Sequence, residues 1–217
     1  MSTGTTTHES RTLRRNVTWQ EYVALRDNDE YRHTRMTFDR GSLELMSPGR
    51  LHERLRIVLG KCVEAWCREM RISYQSCGST TFRREDLERG LEADNCFYIQ
   101  NLSVVRDREA ELDLTIDPPS DLILEVDVTS SSIDKMPIYA ALGVPEIWRW
   151  IDDELHLYTL DSEVRYVNAA DSLALPGFPV DEATEFVSQR TFADEMLLFD
   201  EFRELVRALR KPGGEGP

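Results

Sequence analysis

The amino-acid sequence predicts an α/β fold, and three observations support that prediction. Residues 121–129, DLILEVDVT, show the alternation of aliphatic and polar side chains that is typical of a strand. A polar turn and a helical stretch follow directly, and an aliphatic strand that precedes a helix is usually buried in an α/β sheet. The 217 residues are enough for one domain with its own core.

Three regions follow from the composition along the chain. Residues 1–16 are polar and contain no apolar run, so we expect a disordered N-terminal tail. Residues 17–211 carry the periodic apolar pattern of one domain, which ends in C-terminal helices. Residues 212–217, with the sequence PGGEGP, are expected to form a flexible tail.

The first half of the domain mixes helix and strand patterns. A capping box at Thr18–Glu21 predicts a short helix to residue 26, and the Asp-Arg-Gly turn predicts a hairpin over residues 35–46. Apolar residues at helical spacing predict a helix over 50–70, whose stripe belongs to the core. Strands are expected over 72–82 and 91–99.

The second half continues the alternation. After the central strand we expect a helix over 132–142, closed by Gly143 and Pro145. The remaining expected elements are a weak helix or loop at 102–111, a meander of strands at 146–151, 154–160 and 163–167, and helices at 182–188 and 191–210. The last helix has a long apolar face between Phe192 and Leu209, which could pack on the domain or on a second copy.

Charge and composition restrict the function classes. The net charge of −14 argues against a general nucleic-acid binder, although an enzyme with a local basic patch and a metal ion stays compatible with it. No apolar run approaches the roughly 18 residues of a membrane span, and no secretory signal is present, so we expect a cytoplasmic protein without membrane association. The cysteines are expected to be free thiols: Cys62, Cys67, Cys77 and Cys96.

Carboxylates on strands are the sharpest candidate site. Glu125 and Asp127 share one face of the central strand, roughly 6–7 Å apart, where they would repel each other without a cation or solvent. Asp94 lies near the start of another predicted strand. Carboxylate oxygens suit Mg²⁺. The alternative is that these residues cap turns or pair with arginine.

Lys135 follows the carboxylate strand and is one of three lysines, against 23 arginines. Lysine is the cation whose pKa can be tuned in a site, although an ordinary surface lysine is the alternative. His52 and Glu53 lie in the first turn of a predicted helix, either as a solvated turn or as outer ligands that orient water. Glu44 alternates with Leu43 and Leu45, which predicts solvent exposure.

At this point the chain resembles a known family. The segments LELMSPGRLHE, LEADNCFYI and DLILEVDVTSSSIDKMPIYAALGVPEIW are similar to the Uma-type family of bacterial endonucleases, within the PD-(D/E)xK superfamily. The resemblance covers about residues 18–150 well and the C-terminal helices loosely. It implies a restriction endonuclease-like core, in which helices flank a central mixed β-sheet, and a divalent metal that supports phosphodiester hydrolysis.

The resemblance also assigns residues. Asp94 matches the motif aspartate and Glu125 the acidic residue of the (D/E)xK strand, and His52 and Glu53 would lie beside the site. The chain departs from the motif where Ala93 replaces its proline and where Asp127 stands in place of its lysine. Lys135, from the following helix, would then have to supply the amine.

The sequence therefore predicts a Mg²⁺- or Mn²⁺-dependent endonuclease that acts on DNA. Asp94, Glu125 and Asp127 would hold the metal, and Lys135 would act on the water or the phosphate. The alternatives are a catalytically silent nuclease fold used for binding or assembly, and a hydrolase of a smaller phosphoester. A homodimer is also expected, because a duplex has pseudo-twofold symmetry. DNA contacts are assigned to local arginines: Arg50, Arg54, Arg56, Arg83 and Arg84.

Overall fold

The computed structural model describes residues 9–107 and 112–210. The strands of this part are β1 (Ser10–Arg15), β2 (Arg35–Asp39), β3 (Ser42–Ser47), β4 (Gln75–Ser76), β5 (Thr81–Arg84), β6 (Arg89–Glu92), β7 (Asn95–Tyr98), β8 (Leu122–Asp127), β9 (Glu146–Ile151), β10 (Glu154–Leu160) and β11 (Tyr166–Asn168). The helices are α1 (Trp19–Arg26), α2 (Arg50–Met70), α3 (Leu102–Val105), α4 (Met136–Ala141), α5 (Val180–Arg190) and α6 (Glu195–Leu209).

The strands form two sheets. The first is antiparallel and has the order β1-β3-β2-β6-β5. The second has the order β11-β10-β9-β8-β7-β4 and is mixed, because β8 and β9 run parallel while its other neighbours run antiparallel. A parallel pair needs a crossover connection, and α4 lies in that connection. The predicted mixed sheet with flanking helices is confirmed.

The central strand β8 separates two apolar layers. Leu122, Leu124 and Val126 belong to the large core cluster, to which α2, α5 and α6 contribute. Ile123 lies on the other face, in a cluster with residues of α4 and of the first sheet. Because side chains alternate along a strand, Glu125 and Asp127 share this second face with Ile123. The acidic residues of β8 are therefore directed toward α4 and the segment that precedes it.

Helices α2 and α6 pack side by side and run parallel. Near their first turns Arg54 forms an ion pair with Glu195, and near their last turns Glu69 pairs with Arg203 and Arg207. The apolar face of α6 buries Leu198, Phe202 and Val206 in the large core cluster. The C-terminal helix therefore packs on the domain, which is one of the two arrangements expected from its sequence.

The prediction of a disordered tail through residue 16 is wrong for residues 10–15. These residues form β1, which pairs with the full length of β3 from Ser10–Ser47 to Arg15–Ser42. The segment is polar because it is an edge strand of the first sheet, where a polar sequence is compatible with backbone pairing. Residues 1–8, 108–111 and 211–217 lie outside the described residues, so the expectations for the extreme ends and for the end of the 102–111 segment also lie there.

Two expected strands are each divided between the sheets. Residues 72–82 contain β4 of the second sheet and β5 of the first, and residues 91–99 span the boundary between β6 and β7. Alternation of apolar residues cannot show a change of sheet, because the alternation continues across it. The helix expected from residue 132 begins at Met136, since Lys135 takes the cap position and Pro137 lies in the first turn. The third meander strand lies at 166–168 rather than 163–167.

Candidate active site

Asp94 and Glu125 lie on neighbouring parts of the second sheet. Asp94 precedes β7, and the first pair of the β7–β8 ladder joins Asn95 to Leu124, one residue from Glu125. The backbone N–H of Val126 donates to Oδ2 of Asp94 at 2.8 Å, which fixes the Asp94 side chain against β8. The expectation that the two carboxylates come from adjacent strands is confirmed.

Glu125 is buried, with 2% of its surface exposed, and two side chains from the α4 region bind its oxygens. Nζ of Lys135 donates to Oε2 at 2.6 Å, and the Tyr139 hydroxyl donates to Oε1. Burial raises the pKa of Glu125 to about 7, although the charge of Lys135 opposes that increase. Burial lowers the pKa of Lys135, but the charges of Glu125 and Asp94 outweigh it and raise the pKa overall.

Asp94 is fully buried and has two cationic neighbours. Nε2 of His52 lies 3.1 Å from Oδ2 of Asp94, without the alignment of a hydrogen bond, and Nε of Arg35 lies 3.3 Å from Oδ1. Burial would raise the pKa of Asp94, but His52, Lys135 and Arg35 outweigh it and lower the pKa. Burial likewise lowers the pKa of His52, and the contact with Asp94 outweighs it and raises the pKa to about 9.

Glu53 is linked to Asp94 through Arg35 and also binds Arg56. Arg35 donates from Nη2 to Oε1 of Glu53 at 3.1 Å, and Arg56 donates from Nη2 to Oε2 at 2.8 Å. The contact with His52 and the two arginines together lower the pKa of Glu53 to about 2, although burial acts the other way. Glu53 is therefore ionised at neutral pH and holds Arg35 beside Asp94.

Asp127 lies on the same strand face as Glu125 but has a different partner. Arg149 of the neighbouring strand β9 donates from Nε and Nη2 to one oxygen of Asp127, at 3.0 and 2.7 Å. Arg149 stands opposite Glu125 in the parallel ladder, so its guanidinium reaches one step along the sheet to Asp127. The carboxylate of Asp127, which the sequence predicts as a metal ligand, therefore forms an ion pair with Arg149.

The prediction that Glu44 is exposed to solvent is wrong, because 1% of its surface is exposed. Its carboxylate accepts hydrogen bonds from Nη1 of Arg11 at 2.7 Å, from Oγ of Ser131 at 2.7 Å and from the backbone N–H of Ser132. Burial alone would raise the pKa of Glu44, but the Ser132, Ser131 and Arg11 contacts lower it. Glu44 therefore ties the first sheet to the loop that leads from Glu125 to Lys135.

The structure brings the predicted site residues together in two groups and pairs Asp127 separately with Arg149. Lys135 contacts Glu125, His52 contacts Asp94, and Glu53 reaches Asp94 through Arg35. Sequence reasoning missed four contributors: Arg35, Glu44, Tyr139 and Arg149. Tyr139 lies four residues after Lys135, and residues at this spacing are neighbours on one face of a helix. This spacing is the signal that could have indicated Tyr139. The other three come from separate strands, and their approach depends on tertiary packing.

The residues present fit a two-carboxylate magnesium site. Oδ1 of Asp94 is buried and has no aligned hydrogen-bond donor among residues 9–107 and 112–210, so it has an acceptor position to offer. Mg²⁺ commonly takes one or two carboxylates and completes its octahedron with water and phosphate oxygens. No group of three or more histidine, cysteine, aspartate or glutamate side chains in the described part of the chain is arranged to hold an ion. The fit therefore rests on Asp94 and Glu125.

A cleft of about 390 Å³ opens beside Glu125. Asp127, Lys135, Tyr139 and Arg149 line it, together with the loop that Glu44 holds. Acidic and basic groups thus share one wall of this space. The cleft gives solvent and small ligands a route to the buried carboxylate.

Most of the arginines predicted to contact DNA have partners within the chain. Arg54 pairs with Glu195, Arg56 with Glu53, Arg83 with Asp27 and Arg84 with Asp86. The guanidinium of Arg50 lies over the ring of Phe192, 5.3 Å from its centroid. These contacts stabilise the fold and reduce the charge that is free for phosphate.

Two further findings concern the cysteines and the helices. Cys62, Cys67, Cys77 and Cys96 are free thiols, as expected. Across residues 9–107 and 112–210, no helix has both the length and the apolar character that crossing a membrane requires.

Two comparisons with known proteins bear on the family of this chain. A search of curated proteins found no match. The sequence model of the family Uma2, described as "Putative restriction endonuclease", matches residues 19–184. The match runs from the start of α1 into α5. It includes β7 and β8, which position Asp94 and Glu125, together with the first turn of α2 and the α4 region. Because this match covers more than half of its length, the chain belongs to the Uma2 family.

Proposed function

We propose that this protein is a Mg²⁺- or Mn²⁺-dependent endonuclease that hydrolyses phosphodiester bonds of DNA. The observation that carries the proposal is the pairing of Glu125 with Lys135 at 2.6 Å, close to the buried Asp94, whose Oδ1 has no aligned hydrogen-bond donor in the described part of the chain. Asp94 precedes β7, Glu125 lies in the neighbouring strand β8 and Lys135 lies at the start of α4, so two carboxylates and one amine are available for the proposed metal site. In this proposal Lys135 takes the place of the motif lysine, whose position is occupied by Asp127.

Asp94 and Glu125 would hold the ion. When bound, the divalent metal supplies Lewis acidity toward the scissile phosphate and lowers the pKa of a coordinated water. The Val126 N–H fixes the Asp94 carboxylate, so little side-chain freedom is lost when Asp94 acts as a ligand. The Asp127 carboxylate takes an outer position, because Arg149 already binds it.

Lys135 and Tyr139 would contribute to the reaction without binding the metal. The raised pKa of Lys135 keeps it protonated at neutral pH, so it donates hydrogen bonds rather than accepts protons. When metal binding releases Lys135 from Glu125, its ammonium would stabilise negative charge that develops on the phosphate oxygens and would orient the attacking water. Tyr139 orients the Glu125 carboxylate by donating from the opposite side. His52 and Glu53 hold Arg35 and Asp94 in place.

The catalytically silent alternative is favoured by one observation. Glu125 and Asp127 are each neutralised by a cation of the chain, Lys135 and Arg149, so charge is balanced here without metal. In that case the fold would serve binding or assembly. The two functions differ in one measurable property, because only the nuclease needs Lys135 to move away from Glu125 when metal binds.

The remaining parts of the proposal concern assembly and location. Apolar side chains are exposed at the N-terminal end of α6, with Phe192 60% and Met196 76% exposed, next to Leu51 of α2. A second copy that covers this patch would form a homodimer, which suits cleavage of a pseudo-symmetric duplex. We propose a cytoplasmic location, in keeping with the free thiols.

Light scattering tests the dimer. At a protein concentration of tens of micromolar, the measured mass should be about twice the chain mass of 25.1 kDa. Phe192→Ser combined with Met196→Ser should reduce the measured mass to that of the monomer. The matched control is Val164→Ser, because Val164 is also an exposed apolar residue but lies between β10 and β11, outside the α6 patch. This substitution should leave the mass unchanged. A clean monomer for the unaltered protein would contradict the dimer.

A cleavage panel tests the proposed activity. Plasmid, linear duplex and single-stranded DNA, together with RNA, are incubated with Mg²⁺, with Mn²⁺ and with EDTA. The proposal expects DNA cleavage that requires metal. Hydrolysis of only a small phosphoester would favour the alternative substrate class, and the absence of any hydrolysis would favour the silent fold.

A further inference from the structure

The strongest unexplained feature is a basic cleft at the opposite end of α2 from the candidate active site. The cleft has a volume of about 630 Å³, and its lining is dominated by arginines: Arg68, Arg71, Arg203, Arg207 and Arg210, with Glu69 and Met70. This density of positive charge is exceptional in a chain whose net charge is −14.

Part of this charge has a structural explanation. Because α2 and α6 run parallel, their C-terminal ends lie together, and each carries about half a negative charge from its helix dipole. Glu69 binds Arg203 and Arg207 at 2.6 and 2.8 Å, which tethers the two helices. Asp200 lies 3.4 Å from Arg203, and Glu204 is a further acidic neighbour on α6. These contacts account for the α6 arginines.

The dipole of α2 also favours a cation at Arg68, which lies in its last turn, but Arg68 and Arg71 lack the ion pairs that the α6 arginines form. Both are exposed, and neither has a carboxylate partner or a side-chain hydrogen bond among residues 9–107 and 112–210. Arg71 also ends α2 in the left-handed region, with φ of 58°, a position that favours glycine. An arginine therefore occupies a position where glycine would fold more easily, and its guanidinium faces solvent.

We infer that this arginine cleft binds the phosphate backbone of nucleic acid, at a distance from the catalytic carboxylates. The inference rests on the proposed function. At 1.5 Å per residue, Arg68 lies roughly 24 Å along α2 from His52, about the length of 7 base pairs of duplex. Guanidinium groups match phosphate oxygens with paired hydrogen bonds, and exposed arginines that lack carboxylate partners bind them without first breaking an ion pair. The cleft contributes affinity for the backbone and no base recognition.

Fluorescence anisotropy with a labelled 30-base-pair duplex in EDTA measures this binding apart from any cleavage. Arg68→Ala combined with Arg71→Ala should weaken binding at least fivefold at 100 mM salt. The slope of log affinity against log salt should fall by about 1.8, since each lost phosphate contact removes about 0.9. Arg68→Lys combined with Arg71→Lys keeps both charges and should retain most of the affinity and slope.

A matched control is available on the first sheet. Arg14 and Arg40 are also exposed, and Arg40 also has a left-handed backbone, with φ of 46°. Arg14→Ala combined with Arg40→Ala should leave the duplex affinity unchanged. Circular dichroism melting checks that all three double variants are folded.

Other outcomes overturn the inference. They are equal affinities for the wild type and the Arg68/Arg71 alanine variant, an equal loss in the Arg14/Arg40 control, no duplex binding by the wild type at 50 mM salt, or tighter binding to phosphatidylserine vesicles than to the duplex. Failure of the proposed nuclease function would appear elsewhere, as absence of Mn²⁺-dependent cleavage with duplex binding intact. The two failures are therefore distinguishable.

Discussion

Glu44 and Glu125 are two buried glutamates on strands of different sheets, and their surroundings give them opposite properties. Glu44 is 1% exposed and Glu125 is 2% exposed, so burial does not distinguish them. The pKa of Glu44 is lowered, because a backbone N–H, a serine hydroxyl and Arg11 bind its charged form. The pKa of Glu125 is raised, because burial outweighs the single ammonium beside it.

The difference supports a structural role for Glu44 and agrees with the role in catalysis that we propose for Glu125. Every contact of Glu44 ends on the loop around Ser131 or on the neighbouring strand, so its charge is used to hold the chain. Glu125 lies beside a cleft, an amine and a second carboxylate, and burial raises its pKa although that amine opposes the increase. Strongly perturbed carboxylates in a cleft are candidates for function, whereas fully satisfied ones stabilise the fold.

The largest expected effect is that of Glu125→Gln. A neutral amide is a poorer ligand for a hard cation, so we expect weaker Mn²⁺ binding in a calorimetric titration and a loss of DNA cleavage greater than 10²-fold. Asp127→Asn is the matched control on the same strand face. Because Arg149 already binds Asp127, this variant should lose less than tenfold in cleavage. Equal losses in the two variants would contradict the assignment of Glu125 as the metal ligand.

Lys135→Ala should separate metal binding from turnover. Removing the ammonium leaves both carboxylates, so Mn²⁺ affinity should stay near the wild-type value. Cleavage under single-turnover conditions should fall by roughly 10²-fold, as expected for loss of one transition-state donor. Lys61→Ala, at the other lysine within the described residues, is the control and should cleave normally. Wild-type cleavage by Lys135→Ala would show that the lysine has no role in the reaction.

Glu44→Gln should affect stability. The variant keeps the size of the side chain but removes the charge that Arg11 and Ser132 bind, so the free energy of unfolding should fall by about 2 kcal/mol. Glu154→Gln, whose side chain is 70% exposed, is the control and should change it by less than about 0.5 kcal/mol. Urea unfolding measures both. An unchanged free energy of unfolding in Glu44→Gln would remove the basis for the comparison with Glu125.

The smallest effect is a pH dependence of the same residue. The folded-state pKa of Glu44 lies below its ordinary value of 4.5, so its contribution to stability is complete above pH 4.5 and is lost as the pH falls through the folded-state value. Between pH 5 and pH 3 the wild type should therefore lose more stability than Glu44→Gln. Parallel curves for the two proteins would show that the charge of Glu44 contributes nothing to folding.

The sequence was informative where chemistry and local pattern coincide. The alternation in β8 placed Glu125 and Asp127 on one face, and the scarcity of lysine drew attention to Lys135, which lies at 2.6 Å from Glu125. The α2 helix was also predicted at its observed bounds, because its apolar stripe has one period throughout.

Tertiary contacts decided the rest. Glu44 alternates with leucines as an exposed residue would, yet β1 and the Ser131 loop cover it, and neither contact leaves a periodic signal. Arg149 lies in another strand, 22 residues after Asp127 in the chain, so sequence spacing could not predict the ion pair between them. The division of residues 91–99 between two sheets was likewise hidden, because both β6 and β7 are buried.

Anomalous diffraction from a crystal soaked with Mn²⁺ tests the central claim most directly, since it locates the ion independently of activity. The account predicts one anomalous peak between Oδ1 of Asp94 and the Glu125 carboxylate, with Nζ of Lys135 displaced from its 2.6 Å contact. The peak should be absent from a crystal of Glu125→Gln. A soaked wild-type crystal with no peak at this position, or with the ion bound away from Asp94 and Glu125, would contradict the account.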